Sequence, residues 1–353
     1  MAISRRQALK TLTAAALGTL SSSSSMANAA DNMTASAKPT LHAYSGYGWL
    51  RGFSIIPSWG ARIEDAWWFY DPARMREEAA LATQVHANCI RLWIEFTAWM
   101  RDPDKITGYF LDAVAAIGAS GMTVMPCLFN RWHDGQYDYG GTYTENLFGS
   151  WDRHIEYVRA IVTPLVNDER ILIWDLCNEP QGSDLNDPVV KKQFEWLQKI
   201  AATVRACGVR QPITMGTMGG GNIDIHAPLV DVLCGHPYPH DRPTLLEYVA
   251  GYKAQRAKYG KPFLVNETIP GSLNDQVRGE TARYFTEILA AADMGWMGWA
   301  LREGLAISTR RDRHDSNGIN GEGFHPFFTK EGKLRAGLEF MTEKPKLAPP
   351  WQK

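Results

Sequence analysis

Along this chain the apolar residues gather in short runs with no polar face, and each run stops at a polar or aromatic residue. Eight such runs read as strands, at about 51–57, 88–94, 122–128, 171–177, 212–217, 231–236, 262–267 and 295–301. Between them the apolar positions take up the period of a helix. Asp187-Pro188 reads as an N-cap followed by proline at the first helical position, and Val190, Phe194, Leu197, Ala201 and Val204 then recur on one face. Asp71-Pro72 opens another helix through about Val85, and two more are expected near Asp152–Val166 and Asp275–Ala292. Gly121, Gly208, Gly260 and Gly295 each stand between a helix and the next strand, where a left-handed residue turns the chain back.

Strands apolar on both faces, alternating with helices, predict a parallel sheet covered by helices. Eight such units in about 300 residues suit a closed (β/α)8 TIM barrel, an α/β fold in a single domain. An open doubly wound sheet would need a nucleotide-binding glycine loop, and neither Gly46-Tyr47-Gly48 nor Gly219-Gly220-Gly221 has that spacing.

The N-terminal residues change the picture of where this barrel resides. Arg5-Arg6 precede a mildly apolar stretch, Ala14 to Leu20, and Ala27-Asn28-Ala29 offers a small-x-small cleavage site. This resembles a twin-arginine export signal over residues 1–29. The apolar stretch is too short for a stable membrane anchor. The expected organisation is signal 1–29, flexible tether 30–40, catalytic domain 41–345 and C-terminal tail 346–353. Twin-arginine export machinery is the expected partner, and a periplasmic or secreted location follows. Removal of the signal takes away Arg5, Arg6 and Lys10 and no acid, so the formal net charge falls from −1 to −4. That balance carries no basic footprint for nucleic acid. The five cysteines, Cys89, Cys127, Cys177, Cys207 and Cys234, are odd in number; all but Cys207 sit in strand-like runs, which reads as buried thiols. No CxxC or Cys/His spacing indicates a metal, and no cofactor motif is present. The 13 Trp are either core or flat platforms for sugar rings.

In a barrel of this kind chemistry sits at the C-terminal ends of the strands. Two apolar strands end in the same pair, Asn178-Glu179 on the fourth and Asn266-Glu267 on the seventh. Carboxylates there are costly to desolvate unless they have partners or a task. Two ordinary loop glutamates are the plain alternative. Two facing carboxyls suit cleavage of a glycosidic bond: one protonates the leaving oxygen, and the other meets the charge developing at the anomeric carbon. Such a pair pushes its pKa values apart.

Trp174-Asp175-Leu176-Cys177-Asn178-Glu179-Pro180 resembles the acid/base motif of clan A glycoside hydrolases, nearest the cellulase-like family 5. The resemblance spans residues 50–305. It implies a retaining β-glycoside hydrolase acting on β-linked carbohydrate, with Glu179 as acid/base and Glu267 as nucleophile. It further implies supporting roles for Arg91 as the strand 2 arginine and partner of Glu267, Asn178 toward the sugar 2-OH, and Tyr238 as donor to Glu267. His236 would set protonation, and Trp299 would stack on the sugar. The strand 3 histidine of the family falls to either His133 or Asn130, and Glu95 either contacts substrate or lies on a solvated loop. This chain departs from the pattern at Arg51-Gly52-Phe53-Ser54, at Asn266 where small residues are commoner, and at Arg302-Glu303, which predicts an ion pair near the site mouth. A non-catalytic sugar-binding barrel is the remaining alternative. A metal-dependent barrel would show His-x-His after strand 1, which Ser54 to Ser58 lacks.

Overall fold

The computed structural model describes residues 41–130, 149–180, 182–313 and 323–352. The chain divides into Met1–Pro39 and Thr40–Lys353, and everything described belongs to the second unit. The expected signal and tether, and His133, lie outside the described residues.

Eight parallel strands fall inside the eight predicted runs: β1 Arg51–Ile55, β2 Cys89–Trp93, β3 Thr123–Cys127, β4 Trp174–Asp175, β5 Ile213–Thr214, β6 Leu233–Cys234, β7 Phe263–Leu264 and β8 Trp296–Trp299. The ladder runs β5-β4-β3-β2-β1-β8, with β6 paired to β7. Backbone bonds join the two pieces. Val232 N donates to Ile213 O and His236 N to Thr217 O across β5 and β6, and Trp299 N donates to Thr268 O across β7 and β8. The strands therefore form a closed ring, the (β/α)8 barrel. The regular ladder is shorter than the apolar runs because apolarity reports burial. Leu172 and Ile173 are fully buried but lie outside the two-residue β4.

The helices are α1 Ile63–Trp68, α2 Pro72–Gln84, α3 Phe96–Arg101, α4 Pro103–Ala119, α5 Asp152–Val162, α6 Pro188–Ala206, α7 Gly220–His226, α8 Arg242–Tyr259 and α9 Asp275–Ala291. Asp71 accepts from Ala73 N, and Asp187 from Val189 N and Val190 N, so both predicted Asp-Pro starts are side-chain caps. α5 ends four residues short of Val166; a 3-10 turn over Thr163–Leu165, with Pro164 unable to donate, takes over. All four predicted glycines have positive φ, from 60° to 85°. After β8 the described residues form no long helix. Short 3-10 turns and loops carry Phe327, Phe328, Leu338 and Met341 into the core instead.

Strand alternation sets the barrel interior in layers. Phe53, Ile90, Leu92, Phe263 and Val265 belong to the core that contains the helix side chains. Cys89, Met125, Cys234, Leu264 and Met297 form a separate apolar plug. Two residues further along the same strands come Arg91, Cys127, His236, Asn266 and Trp299. The polar site therefore rests on the plug, at the C-terminal end of the barrel. The five cysteines are free thiols, all buried but the partly exposed Cys207.

Candidate active site

Glu179 follows β4 and Glu267 follows β7; both line a cavity of about 580 Å³ together with Trp93, Asn130, Asn178, Met218, Tyr238, His240, Pro270, Ile307, Trp299, Gly323 and His325. An oxygen of each carboxylate lies within 4.8 Å of the other and of a nitrogen of His236. Glu179 has φ of 50°, a left-handed conformation that costs a non-glycine residue about 1–2 kcal/mol. Its backbone N–H donates to Gly216 O at 2.8 Å, and the preceding Asn178 N–H donates to Phe129 O at 2.8 Å. The sharp turn at the end of β4 is thus held from both neighbouring strands.

The two carboxylates have different company. Arg91 Nη1 donates to Glu267 Oε2 at 2.7 Å, and Tyr238 OH donates to Oε1 at 3.1 Å. Burial and the Glu179 charge push the Glu267 pKa up, and the charges of His236 and Arg91 and the Tyr238 bond offset that only in part. Burial and the neighbouring Glu267 and Glu179 charges raise the Tyr238 phenol, so it stays a donor. Glu179 Oε1 instead faces His236 Nδ1 at 2.8 Å. Burial alone would lower the His236 pKa, but the Glu267 charge, the Cys234 thiol and Glu179 together raise it well above the usual imidazole value.

Arg91 is wholly enclosed. Its Nε donates to Asp175 Oδ2 at 2.8 Å, its Nη2 to Asn178 Oδ1 at 2.8 Å, and its Nη1 to Ser54 Oγ at 3.3 Å as well as to Glu267. A buried guanidinium is tolerable only when its donors are used and its charge is met. Burial opposes its charge, and Asp175, Cys127 and Glu267 more than restore it. By fixing both Glu267 and Asn178, Arg91 orients a carboxylate and a polar amide at once. Asn178 Nδ2 donates to Asn130 Oδ1 at 3.2 Å, and Asn130, beyond β3, lines the cavity. Trp299 faces Trp93 at 5.1 Å between ring centroids. It is joined to Ala300 by a cis peptide bond.

Two sequence expectations fail. Glu95 neither lines the cavity nor lies on a solvated loop: it is 2% exposed, as the N-cap residue of α3. Position directly after a strand could not reveal that the next helix starts there and folds it inward. Arg302 and Glu303 do not pair with each other. Arg302 reaches Glu77, and Glu303 pairs with Arg335, beside a separate pocket. Adjacent residues in an extended segment point apart.

Sequence reading assigned no role to the residues behind the site. Asp175 accepts from Arg91, from Asn266 Nδ2 at 3.0 Å and from Gly216 N at 3.2 Å. Asn266 Oδ1 meets His236 Nε2 at 2.7 Å. Both are polar residues inside apolar strand runs, which was the available signal. Met218, His240, Pro270, Ile307 and His325 reach the cavity from loops that carry no local signature. By spacing alone Glu179, His236 and Glu267 could also hold an ion. Both His236 nitrogens are already engaged, however, and the Arg91 cation already meets Glu267, so the set is built for a proton.

The sequence model of the cellulase family, glycosyl hydrolase family 5, matches residues 44–304. Mannan endo-1,4-beta-mannosidase A of Podospora anserina is 30% identical over 113 residues, which is 29% of this chain and 28% of that protein. A beta-glucuronidase of Felis catus is 24% identical over 125 residues, 33% of this chain and 18% of that protein. This chain therefore matches less than a third of the length of these curated relatives. Among solved structures, the exo-beta-1,4-mannosidase of Opitutaceae bacterium strain TAV5 superposes with a TM-score of 0.66 at 19% identity, over 87% of this chain and 60% of that one. GH5_18 from Streptomyces cattleya, in complex with GlcNAc, gives 0.65 at 15% identity, over 86% and 83%. At these identities the structural likeness speaks for the fold.

Proposed function

This chain belongs to glycosyl hydrolase family 5, and on that premise we propose that it is an exported β-glycoside hydrolase that cleaves β-linked oligo- or polysaccharide with retention of configuration. The observation that carries this reading is the carboxylate pair, with oxygens within 4.8 Å across one cavity and unlike partners on either side. Retaining enzymes place the two carboxyls roughly 5–5.5 Å apart, and inverting ones leave room for a water. Glu267, held by Arg91 and Tyr238, attacks the anomeric carbon as the bond to the leaving oxygen breaks. Glu179 gives that oxygen its proton. Water then attacks the glycosyl ester, returns a proton to Glu179, and releases Glu267 as carboxylate. Trp93 and Trp299 offer apolar faces to the sugar.

For the sugar we favour β-mannosides, supported by the names of the relatives: a mannan endo-mannosidase and an exo-mannosidase. For export, the support is the twin-arginine pattern Arg5-Arg6 with a small-residue cleavage site. Retention of a precursor when both arginines become lysine would support that route, and unchanged export would refute it.

The test of the hydrolase is a panel of β-linked oligosaccharides and aryl β-glycosides, β-mannosides first, with the product anomer followed by NMR. Retained configuration is expected, and inverted product overturns the mechanism. Glu267→Ala is expected to lower kcat by about 10⁴-fold or more while sugar still binds. Glu179→Ala is expected to cost about 10²–10⁴-fold on poor leaving groups and little on dinitrophenyl glycosides. A protein that binds sugars and hydrolyses none across the panel is a binding barrel instead.

A further inference from the structure

We propose that Asn266 is a positioning residue that locks the tautomer of His236 and thereby keeps a proton on the Glu179–His236 couple. This rests on the reading of Glu179 as acid/base. Asn266 is fully buried, beside Glu267 in sequence but turned toward the layer beneath it. Its Nδ2 donates to Asp175 Oδ2 at 3.0 Å, and a carboxylate paired with Arg91 can only accept. The amide oxygen is therefore the atom that faces His236 Nε2 at 2.7 Å and Cys234 Sγ at 3.0 Å. An amide oxygen only accepts, so His236 Nε2 carries its hydrogen in every state.

The consequence appears at the other nitrogen. With Nε2–H fixed, a neutral ring turns a bare Nδ1 toward Glu179 Oε1, 2.8 Å away. If Glu179 were also ionised, two acceptors would face each other with nothing between them. One proton is therefore retained at that contact, either on the carboxyl or on the ring. Once it is donated to the leaving oxygen, the couple is a strong base for the water of the second step. Without Asn266 the neutral ring could move its hydrogen to Nδ1 and rest against ionised Glu179, and the proton would be lost at lower pH. The groups bearing on the couple are Cys234 on β6 and Glu267 after β7, beside His236, and Tyr238, beside Glu179; Asp175 on β4 and Arg91 on β2 stand one contact further back, through Asn266 and Glu267.

The fold makes room for this bond. A Cβ on Gly216 would stand 2.3 Å from His236 Nε2 and 3.0 Å from Asn266 Oδ1, so this position, two residues beyond β5, has to be glycine for the pair to meet.

Asn266→Leu keeps the shape of the side chain and removes the acceptor, and Asn266→Ala removes both. For each, kcat/KM on a phenyl β-glycoside, read above the alkaline limb, is expected to fall about tenfold, but to change by less than about threefold on a dinitrophenyl one, which needs no acid. The alkaline limb of the phenyl profile should move down by about one pH unit. Equal loss on both substrates, or an unmoved limb, overturns the proposal. Nitrogen-15 histidine NMR of the wild-type protein tests it without any variant or substrate. A protonated Nε2 at all pH values is expected, and a bare Nε2 at any pH sinks it. Wild-type protein that hydrolyses neither glycoside refutes the hydrolase reading, and the NMR result still decides the lock.

Discussion

Glu95 shows how one carboxyl can work against the fold. Its Oε2 has no hydrogen-bond partner among the described residues, and burial, with Glu64 nearby, pushes its pKa well above the usual carboxylate value. Well below the ordinary glutamate value of about 4.3 the group is neutral whether the chain is folded or not, and there is no penalty. As pH rises toward the folded value, the unfolded chain ionises first and stability falls. Glu95→Gln should therefore stabilise the protein by about 1–3 kcal/mol near neutral pH and by little at pH 4, read from urea midpoints at both. A gain that does not grow with pH would refute this account. Arg91 is the opposite case: its charge is buried deeper, but Asp175, Glu267, Asn178 and Ser54 take up its donors. Burial is shared by the two residues, and the difference lies in the partners that other strands bring.

The strand is the element that turns sequence alternation into function. On β2 and just beyond β6, every second residue steps from plug to polar layer to cavity: Cys89, Arg91 and Trp93, then Cys234, His236 and Tyr238. This stepping depends on close strand approach. A Cβ on Gly52 of β1 would lie 1.9 Å from the backbone oxygen of Cys89, which cannot move without opening the β1–β2 ladder. Gly52→Ala should cost at least about 3 kcal/mol, the upper end for overpacking, seen as a lower urea midpoint or insoluble expression. A wild-type midpoint would show that the ladder has slack. The departure from the family pattern that keeps Gly52 but replaces the usual following residue by Phe53 leaves this contact intact; Phe53 packs instead against Phe327 and Trp296.

At the scale of the molecule, the described residues after β8 form no long helix, and their loops return to the site. Gly323 and His325 line the cavity, while Phe324 between them is fully buried beside Arg278, Arg311 and Arg335. The segment docks on α9 where Gly279 meets Gly337; a Cβ on Gly279 would stand 2.5 Å from Gly337 O. Gly279→Val should push the segment away and raise KM about tenfold, corresponding to about 1.4 kcal/mol, while kcat changes less. Loss of kcat with KM unchanged would separate the segment from substrate binding.

The period of the hydrophobic pattern was enough to place eight strands, the capped helices and four left-handed glycines, because burial and local backbone geometry are written residue by residue. It also marked Glu179 and Glu267, since a carboxylate that ends an apolar strand is anomalous by itself. Asn266 was visible as a departure, but its purpose was not, because its partners Asp175 and His236 are 91 and 30 residues away. The same limit hid His325 and misplaced Glu95 and the Arg302-Glu303 pair. A hydrogen bond needs two atoms within about 3 Å, and only the closed barrel brings those atoms together.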